Sequence, residues 1–211
     1  FNTSFAQDGL LIYIPRRVAI EETIQLVTLL QSNIELMSNR RILVVLEEGD
    51  KANLLICDHS SGNKHSLSTQ VIEIFIKENA SLNLFELEET NSNNSRISQL
   101  YVKQHSNSTF NNCNITLING LTRNSTQVTL AGEGAETNLT GLAICDKEQH
   151  TDNYTIVDHK VGHCKSSELY KYVLDEHSTG VFTGKMLIRQ DAQQTVSQQT
   201  NRNLCLTKCA H

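Results

Sequence analysis

Short apolar runs recur along the whole chain, and in several of them apolar and polar positions alternate. In the stretch Val71–Ile76 the isoleucines at every second position share one side of an extended chain, and Leu82–Leu87 follows a similar pattern. A period of two is that of a β-strand and not of a helix. The pattern therefore predicts a chain built mainly of strands. Two stretches favour short helices instead, Ser32–Met37 and Ser166–Val173, the second with serines and a glutamate that could cap it.

A longer repeat is superimposed on this alternation. Four segments share a polar turn, an alanine and renewed alternation, and the alanines are spaced by one or two units of about 28 residues. Weaker copies fill the empty slots at 104–106 and at His163–Cys164. The four alanines are Ala52, Ala80, Ala135 and Ala192.

A repeat of this size, built of strands and turns, is typical of a solenoid whose coils bury their apolar faces by stacking. The short runs predict about three strands per coil, and the chain length allows about seven coils. We therefore expect an all-β fold, a parallel β-helix. No internal boundary is evident, so residues 1–211 are expected to form a single domain.

Composition narrows the function classes. The net charge is −5, which disfavours nucleic acid and anionic membranes as partners because both attract basic surfaces. No run approaches eighteen apolar residues, so no transmembrane helix is expected. The first residues, Phe1–Ser4, lack the basic and apolar regions of a signal peptide. These features predict a cytoplasmic protein.

Two residue types leave an alternative open. None of the six cysteines forms a C-x-x-C pair, and we expect free thiols, although pairing would be favoured in a secreted protein. Eight Asn-x-Ser/Thr sequons occur, for example Asn79–Ser81 and Asn138–Thr140. They indicate a glycosylated surface protein if taken literally, but chance in a chain rich in Asn, Ser and Thr is the favoured interpretation.

The chain shows no motif of an enzyme. A nucleophile elbow, a Walker loop, a Rossmann fingerprint and a zinc-protease helix are all absent, and Gly132–Gly134 lacks a third glycine and a following helix. We therefore expect neither catalytic residues nor a tightly bound cofactor.

Two groups of residues could nevertheless bind a metal. The denser group combines imidazole, thiolate and carboxylate ligands, which suit iron or zinc, although its members could equally be polar faces and turns of adjacent coils. The second is Cys209 with His211, which point to the same side if the chain is extended there. The denser group is His150, Asp152, Asp158, His159, His163 and Cys164.

Several motifs together resemble those of the SufB/SufD family. The most specific lies in the last third of the chain and resembles the SufD branch. Upstream, the segment IYIP (Ile12–Pro15) also fits. The motifs are VTLAGEGAE (Val128–Glu136), QHTDN (Gln149–Asn153), CKSSELYK (Cys164–Lys171), GVFTG (Gly180–Gly184) and DAQQTVSQQTNRNL (Asp191–Leu204).

The resemblance implies a right-handed parallel β-helix and a role in iron–sulfur cluster assembly by the SUF system. A member of the SufD branch is a non-catalytic scaffold that pairs with SufB through the β-helix and with the ATPase SufC through a C-terminal helical region. The resemblance implies at most a transient iron–sulfur cluster at the SufB interface. A homodimer is expected in isolation, because open solenoid ends pair with other chains.

The chain departs from the family pattern at two places. The flanking helical regions are missing, so the chain as it stands is not expected to recruit SufC. The family also carries a further strand segment where Thr207 meets Lys208. Either that segment is deleted here or, as we favour, it is present and Thr207 and Lys208 are not covalent neighbours. By position, the Lys-Cys-x-His motif near the SufB contact maps onto Cys209 and His211, which become the first candidates for cluster assembly. His159, His163 and Cys164 are weaker candidates for a metal or interface role.

The remaining alternative is a secreted parallel β-helix that acts on or binds polysaccharide. Acidic charge, sequons and asparagine-rich turns favour it. The lack of a signal peptide and of a clustered acidic and basic site opposes it.

Overall fold

The chain folds into two parallel sheets that share one interior. The computed structural model describes residues 2–6 and 8–211, so Phe1 and Gln7 lie outside the described residues. A short helix, α1, spans Asn2–Phe5. Sheet A contains β1 (Asp8–Ile14), β3 (Leu36–Leu46), β5 (Ser66–Ile76), β7 (Asn94–Gln104), β9 (Leu121–Leu130), β11 (His150–His159) and β13 (Thr179–Ile188). Sheet B contains β2 (Ala19–Ser32), β4 (Lys51–Gly62), β6 (Ser81–Glu89), β8 (Thr109–Ile118), β10 (Glu136–Cys145), β12 (Lys165–Leu174) and β14 (Val196–Cys205).

Each strand pairs in parallel with the next strand but one, so the chain winds as a solenoid. Ser95 is the register partner of Leu121, and Asp8 is the register partner of Arg40, so paired residues lie close to one predicted repeat apart. This spacing confirms the predicted repeat, the all-β fold and the parallel β-solenoid of about seven coils. The prediction of three strands per coil is wrong. Each coil has two strands, because alternation continues through the polar residues that follow each apolar run.

Both predicted helices are wrong. Ser166–Val173 lies within β12, whose residues pair with β10 on one side and β14 on the other. In place of Ser32–Met37, β2 runs to Ser32 and β3 begins at Leu36. Local helix propensity is weak compared with two ladders of backbone hydrogen bonds, so pairing with the neighbouring coils decides the structure.

A recurrent tight turn connects sheet A to sheet B and forms what we call the corner edge. In most coils one turn residue has a positive φ, for example 59° at Asn79 and 72° at Gly134. Its amide donates to a carbonyl of the next coil, as from Asn79 N to Ser106 O over 3.0 Å. A buried residue at or near the end of the turn marks the corner. The corner residues are Asp50, Ala80, Ser108, Ala135, Cys164 and Ala192.

Three of the four alanines that were used to define the repeat lie at corner positions. Ala80, Ala135 and Ala192 occupy corners, as does the predicted weaker copy at Cys164. Ala52 does not, because it lies inside β4 and faces the interior, two residues after the corner residue Asp50. A small side chain suits the corner because successive coils touch there.

The interior of sheet A changes from largely apolar near the corner edge to polar near the opposite one, which we call the polar edge. Side chains that are register partners in successive strands stack into columns. The second inward-facing column from the corner edge is aliphatic, whereas a column closer to the polar edge is polar. The aliphatic column contains Val44, Ile74, Val102, Val128 and Val157, and the polar column contains Arg40, Gln70, Ser98, Asn124 and Asn153.

An asparagine ladder runs along the outer face of sheet B. Asn83 donates to Asn53 over 2.8 Å, Asn111 donates to Asn83 over 2.8 Å, and Asn138 donates to Asn111 over 2.9 Å. Repetition of one side chain in register lets each amide act as donor and acceptor at once.

We expect Asn83→Ala to lower the free energy of unfolding by about 1–2 kcal/mol, because it removes two amide hydrogen bonds. Chemical denaturation would measure this change. The matched control is Asn53→Ala at the end of the ladder, where one of these bonds is lost and a smaller effect is expected. Equal losses in both variants would show that the ladder does not act as a series of separate bonds.

At each end of the solenoid, the outermost strands that the structure describes pair with a neighbouring strand on one side only. At the C-terminal end β13 is the last strand of sheet A and β14 is the last strand of sheet B. The side chains of β14 are largely exposed, including Val196 and Leu204, whereas most of those of β13 are half-buried. No helix within residues 2–6 and 8–211 has the length and apolar character needed to cross a membrane.

Candidate functional site

The last four residues lie beside the open edge of sheet A. The backbone of His211 accepts from Gly180 N over 2.8 Å and donates to Ser178 O over 3.2 Å, which places His211 opposite Thr179. Ala210 is buried against the core, whereas Cys209 and His211 on either side of it are exposed. Both candidates are thus exposed on either side of a buried residue, and their common orientation stays a prediction.

The junction before this segment lies beside the turn that precedes β13. Thr207 and Lys208 are consecutive in the sequence, and the hydroxyl of Thr207 donates to the carbonyl of Glu176 over 3.1 Å. Residues 208–211 follow β14 at the polar edge, and an additional strand segment before Lys208 stays a prediction. In this position His211 lies beside Thr179.

The ring of His211 has two different neighbours. Its Nδ1 lies 3.2 Å from the carbonyl oxygen of Cys209, and its Nε2 lies 3.4 Å from the hydroxyl of Thr179. A carbonyl oxygen only accepts, so Nδ1 must carry the proton of the neutral ring. The lone pair of Nε2 then accepts from the Thr179 hydroxyl, and a metal at Nε2 would have to replace that contact. Backbone carbonyls commonly orient histidine ligands through the other ring nitrogen in this way.

A groove along the polar edge leads toward this segment. It contains His59, His65, His150 and His177. His150 is the register partner of Thr179, which in turn lies opposite His211. Among the described residues, however, no three His, Cys, Asp or Glu side chains are arranged to share one metal ion.

The other predicted ligands are not brought together. His159 is fully buried, and its Nε2 lies 2.9 Å from the hydroxyl of Ser166. Burial lowers the pKa of His159 despite the neighbouring carboxylate of Asp158, so the ring is favoured in its neutral form. Asp158 pairs instead with Arg189 over 2.8 Å. A ligand role of this group stays a prediction that the geometry does not support.

His163 and Cys164 face opposite directions at one corner. His163 is exposed on the turn with a φ of 58°, whereas Cys164 is fully buried. The sulfur of Cys164 lies 3.4 Å from the carbonyls of Gly132 and Gly162. Burial raises the pKa of the Cys164 thiol, which therefore stays protonated and acts as a small packing group.

All six cysteines are free thiols, and they differ in exposure. Cys57, Cys145 and Cys164 are buried, whereas Cys205 and Cys209 are exposed. Cys205 faces inward in register with Leu174, but no further coil of the described chain covers it. Sequence reasoning did not single out Cys205, because only the strand register shows that it opens onto the solenoid end.

Sequence reasoning also missed a buried charged network at the polar edge. The guanidinium of Arg96, with only 4% of its side chain exposed, contacts Asp58 at 2.8 Å and Glu88 at 3.9 Å. Its Nη1 donates to Asn124 over 2.7 Å. Arg40 also pairs with Asp58, over 2.7 Å. These contacts tie together coils that are distant in sequence.

The network shifts the pKa values of its members. Burial alone would raise the pKa of Asp58, but the guanidinium groups of Arg96 and Arg40 outweigh it and hold that pKa below its ordinary value. Burial raises the pKa of Glu88 despite the nearby Arg96. Burial would lower the pKa of Arg96, but Asp58 and Glu88 outweigh it and keep the guanidinium charged.

A second buried carboxyl lies nearer the C-terminal end. Glu168 is 1% exposed and accepts a hydrogen bond from Thr155 over 3.1 Å. Its other oxygen is buried and has no hydrogen-bond partner among the described residues. Burial raises the pKa of Glu168 to about 7, although the bond from Thr155 opposes this shift.

Comparison with known proteins identifies the family. The family model described as "SUF system FeS cluster assembly, SufBD core domain" matches residues 29–211, and that of the "SufBD protein N-terminal region" matches residues 1–26. An iron–sulfur cluster assembly SufBD family protein of Synechocystis is 26% identical, over 99% of this chain and 48% of its own.

Two further relatives carry more specific names. The chloroplastic protein ABCI7 of Arabidopsis thaliana is 28% identical, over 97% of this chain and 45% of its own. The iron–sulfur cluster assembly protein SufD of Escherichia coli is 33% identical, over 42% of this chain and 21% of its own. The chain thus spans about half the length of the first two relatives. The core-domain match covers most of its residues, which confirms the resemblance noted from the motifs: the chain belongs to the SufBD family of the SUF system.

Proposed function

We propose that this protein is a non-catalytic scaffold subunit of a SUF iron–sulfur cluster assembly complex, in which it aids cluster formation and transfer. The observation that carries the proposal is the match of the SufBD core domain to residues 29–211. The relatives from Synechocystis and E. coli are both named as iron–sulfur cluster assembly proteins. A tightly bound cofactor has no part in the proposal.

His211 and Cys209 are the proposed assembly residues. Both are exposed beside the open edge of sheet A, and a thiolate with an imidazole is a ligand pair that suits iron–sulfur chemistry. The contact between His211 Nδ1 and the carbonyl of Cys209 supports a role for Nε2 as the ligand atom. The cluster would be transient cargo, shared with the partner subunit.

The proposed partner is a SufB-like subunit that covers the C-terminal end of the solenoid. Within the described chain, β14 and the part of β13 beyond the His211 contact pair with a neighbouring strand on one side only. Such edges tend to pair with another chain. A homodimer through the same end is proposed for the isolated protein. A SufC-like ATPase would bind through a C-terminal region of the family that these residues do not include.

We also propose a cytoplasmic location. The secreted alternative rested partly on the sequons, and three of them cannot carry a glycan in this fold. The asparagines of three sequons, Asn114, Asn124 and Asn153, lie buried inside the solenoid. A glycan on any of them is incompatible with this fold, because the side chain faces the core. Chance occurrence of Asn and Thr at alternate inward positions accounts for these sequons.

The proposal is tested by co-purifying the protein with its SufB-like and SufC-like counterparts, followed by anaerobic cluster reconstitution. We expect wild type to join the complex and assemble a cluster, whereas His211→Ala joins but assembles at least tenfold less. The matched control is His163→Ala, an exposed histidine at the opposite edge, which should assemble normally. Failure of wild type to join would contradict the scaffold role. Normal assembly by His211→Ala would contradict only the role of that side chain.

A further inference from the structure

A buried tyrosine lies directly behind the strand segment that holds His211. Tyr172, on β12, is 2% exposed. Its hydroxyl donates to the carbonyl of Val181 over 2.9 Å. Its ring packs against the α-carbon of Gly180 so closely that a Cβ added there would lie 2.7 Å from the ring atom Cδ1. Tyr172 therefore contacts two consecutive residues of the edge strand β13 from the inside.

One of these two residues, Gly180, is hydrogen-bonded directly to His211. The amide of Gly180 donates to the carbonyl of His211 over 2.8 Å, and this bond continues sheet A beyond its edge strand. Among the described residues, β13 is held by its pairing with β11 and by the side chains packed behind it. A shift of Gly180 would move the backbone, and hence the ring, of His211.

Tyr172 is itself held in place from the opposite side. The side-chain amide of Asn153 donates to the tyrosine hydroxyl over 2.7 Å. The oxygen of Asn153 accepts from Asn124 over 3.0 Å, and Asn124 accepts from Arg96 over 2.7 Å. Every member of this chain of contacts is buried. A hydroxyl that both accepts and donates within such a chain has one orientation.

We propose that Tyr172 is a positioning residue for His211, which it fixes through Gly180 and Val181. This inference rests on the proposed function of His211 for its meaning, but its geometry can be tested independently. The aromatic ring excludes water behind the edge strand. The hydroxyl fixes the position of that strand through its hydrogen bond to the carbonyl of Val181. A phenylalanine would keep the first contribution and lose the second.

The test compares Tyr172→Phe with Tyr170→Phe in the 211-residue chain. Tyr170 is a matched control because it is equally buried on the same strand, with its ring stacked on Phe182 at 4.7 Å. Amide hydrogen exchange is followed by NMR at Gly180 and His211 and in the central strand β9. We expect Tyr172→Phe to speed exchange at Gly180 and His211 about tenfold more than in β9, and Tyr170→Phe to show no such selectivity.

Three results would overturn the inference. These are unchanged exchange at Gly180, an equal increase along the whole chain, and the same selective increase in Tyr170→Phe. An equal increase would mean that Tyr172 contributes only to global stability. Reconstitution with His211→Ala tests the proposed function separately. If His211→Ala assembles a cluster normally, the exchange result still decides whether Tyr172 positions His211.

Discussion

Replacing Arg96 by methionine should lower the free energy of unfolding by about 3–5 kcal/mol at neutral pH, because it leaves buried carboxyls without their partner. Arg96 contacts Asp58 at 2.8 Å and Glu88 at 3.9 Å, and it donates to Asn124. Methionine keeps much of the side-chain volume, so the loss reports the charge and its hydrogen bonds. Urea denaturation monitored by circular dichroism would measure the change.

The matched control is Arg123→Met. Arg123 contacts Asp152 at 2.6 Å, but about half of its side chain is exposed. Solvent screening reduces the value of such a pair, and we expect a loss below about 1 kcal/mol. In addition, Arg96→Met combined with Asp58→Asn should be less destabilised than the sum of the two single variants. A loss at Arg96 no larger than at Arg123 would contradict this account of the network.

Glu168→Gln should stabilise the protein at pH 8 by about 3 kcal/mol while leaving its stability near pH 4.5 almost unchanged. Burial raises the pKa of Glu168 from an ordinary 4.5 to about 7. Between these values the folded state holds a proton that the unfolded state has lost. Stability therefore falls as pH rises from about 4.5 to 7, and glutamine removes this dependence because it stays neutral.

The measurement is the difference in unfolding free energy between wild type and Glu168→Gln across pH 4.5–8. Taking the difference cancels contributions from groups such as His159, whose lowered pKa acts in the opposite direction over part of this range. Glu136→Gln is the matched control, since Glu136 is partly exposed and paired with Lys165 at 2.6 Å. A difference for Glu168→Gln that does not change with pH would contradict a protonated carboxyl in the folded state.

These two predictions concern residues that the hydrophobic pattern did not mark as interior. Arg96 and Glu168 alternate with neighbours in the usual way of a strand, and nothing local distinguishes an inward glutamate from an outward one. Arg96 is buried against partners on other strands, Asp58 and Asn124. Glu168 has one hydrogen bond, from Thr155, and its second oxygen has no partner among the described residues. Burial of this kind depends on the register between strands of successive coils, which are distant from one another in sequence.

The candidate site shows a similar division. The motif match alone selected Cys209 and His211, and a spacing of two residues predicted their common orientation. The return of the chain to Thr179 and the support from Tyr172 both depend on residues at least one coil away in sequence. Likewise, His159, His163 and Cys164 are close in sequence, but a corner separates an inward residue from an outward one.

The sequence by itself determined the all-β class, the long repeat, the solenoid and the family. Alternation, recurrent turns and motifs depend on residues that are close together in the sequence. Only the tertiary structure decided that each coil has two strands, that Ser166–Val173 is a strand, and which polar residues are buried. The physical reason is that strand pairing and burial are properties of stacked coils. A period of two assigns side chains to opposite faces, but the neighbouring coils determine which face becomes the interior.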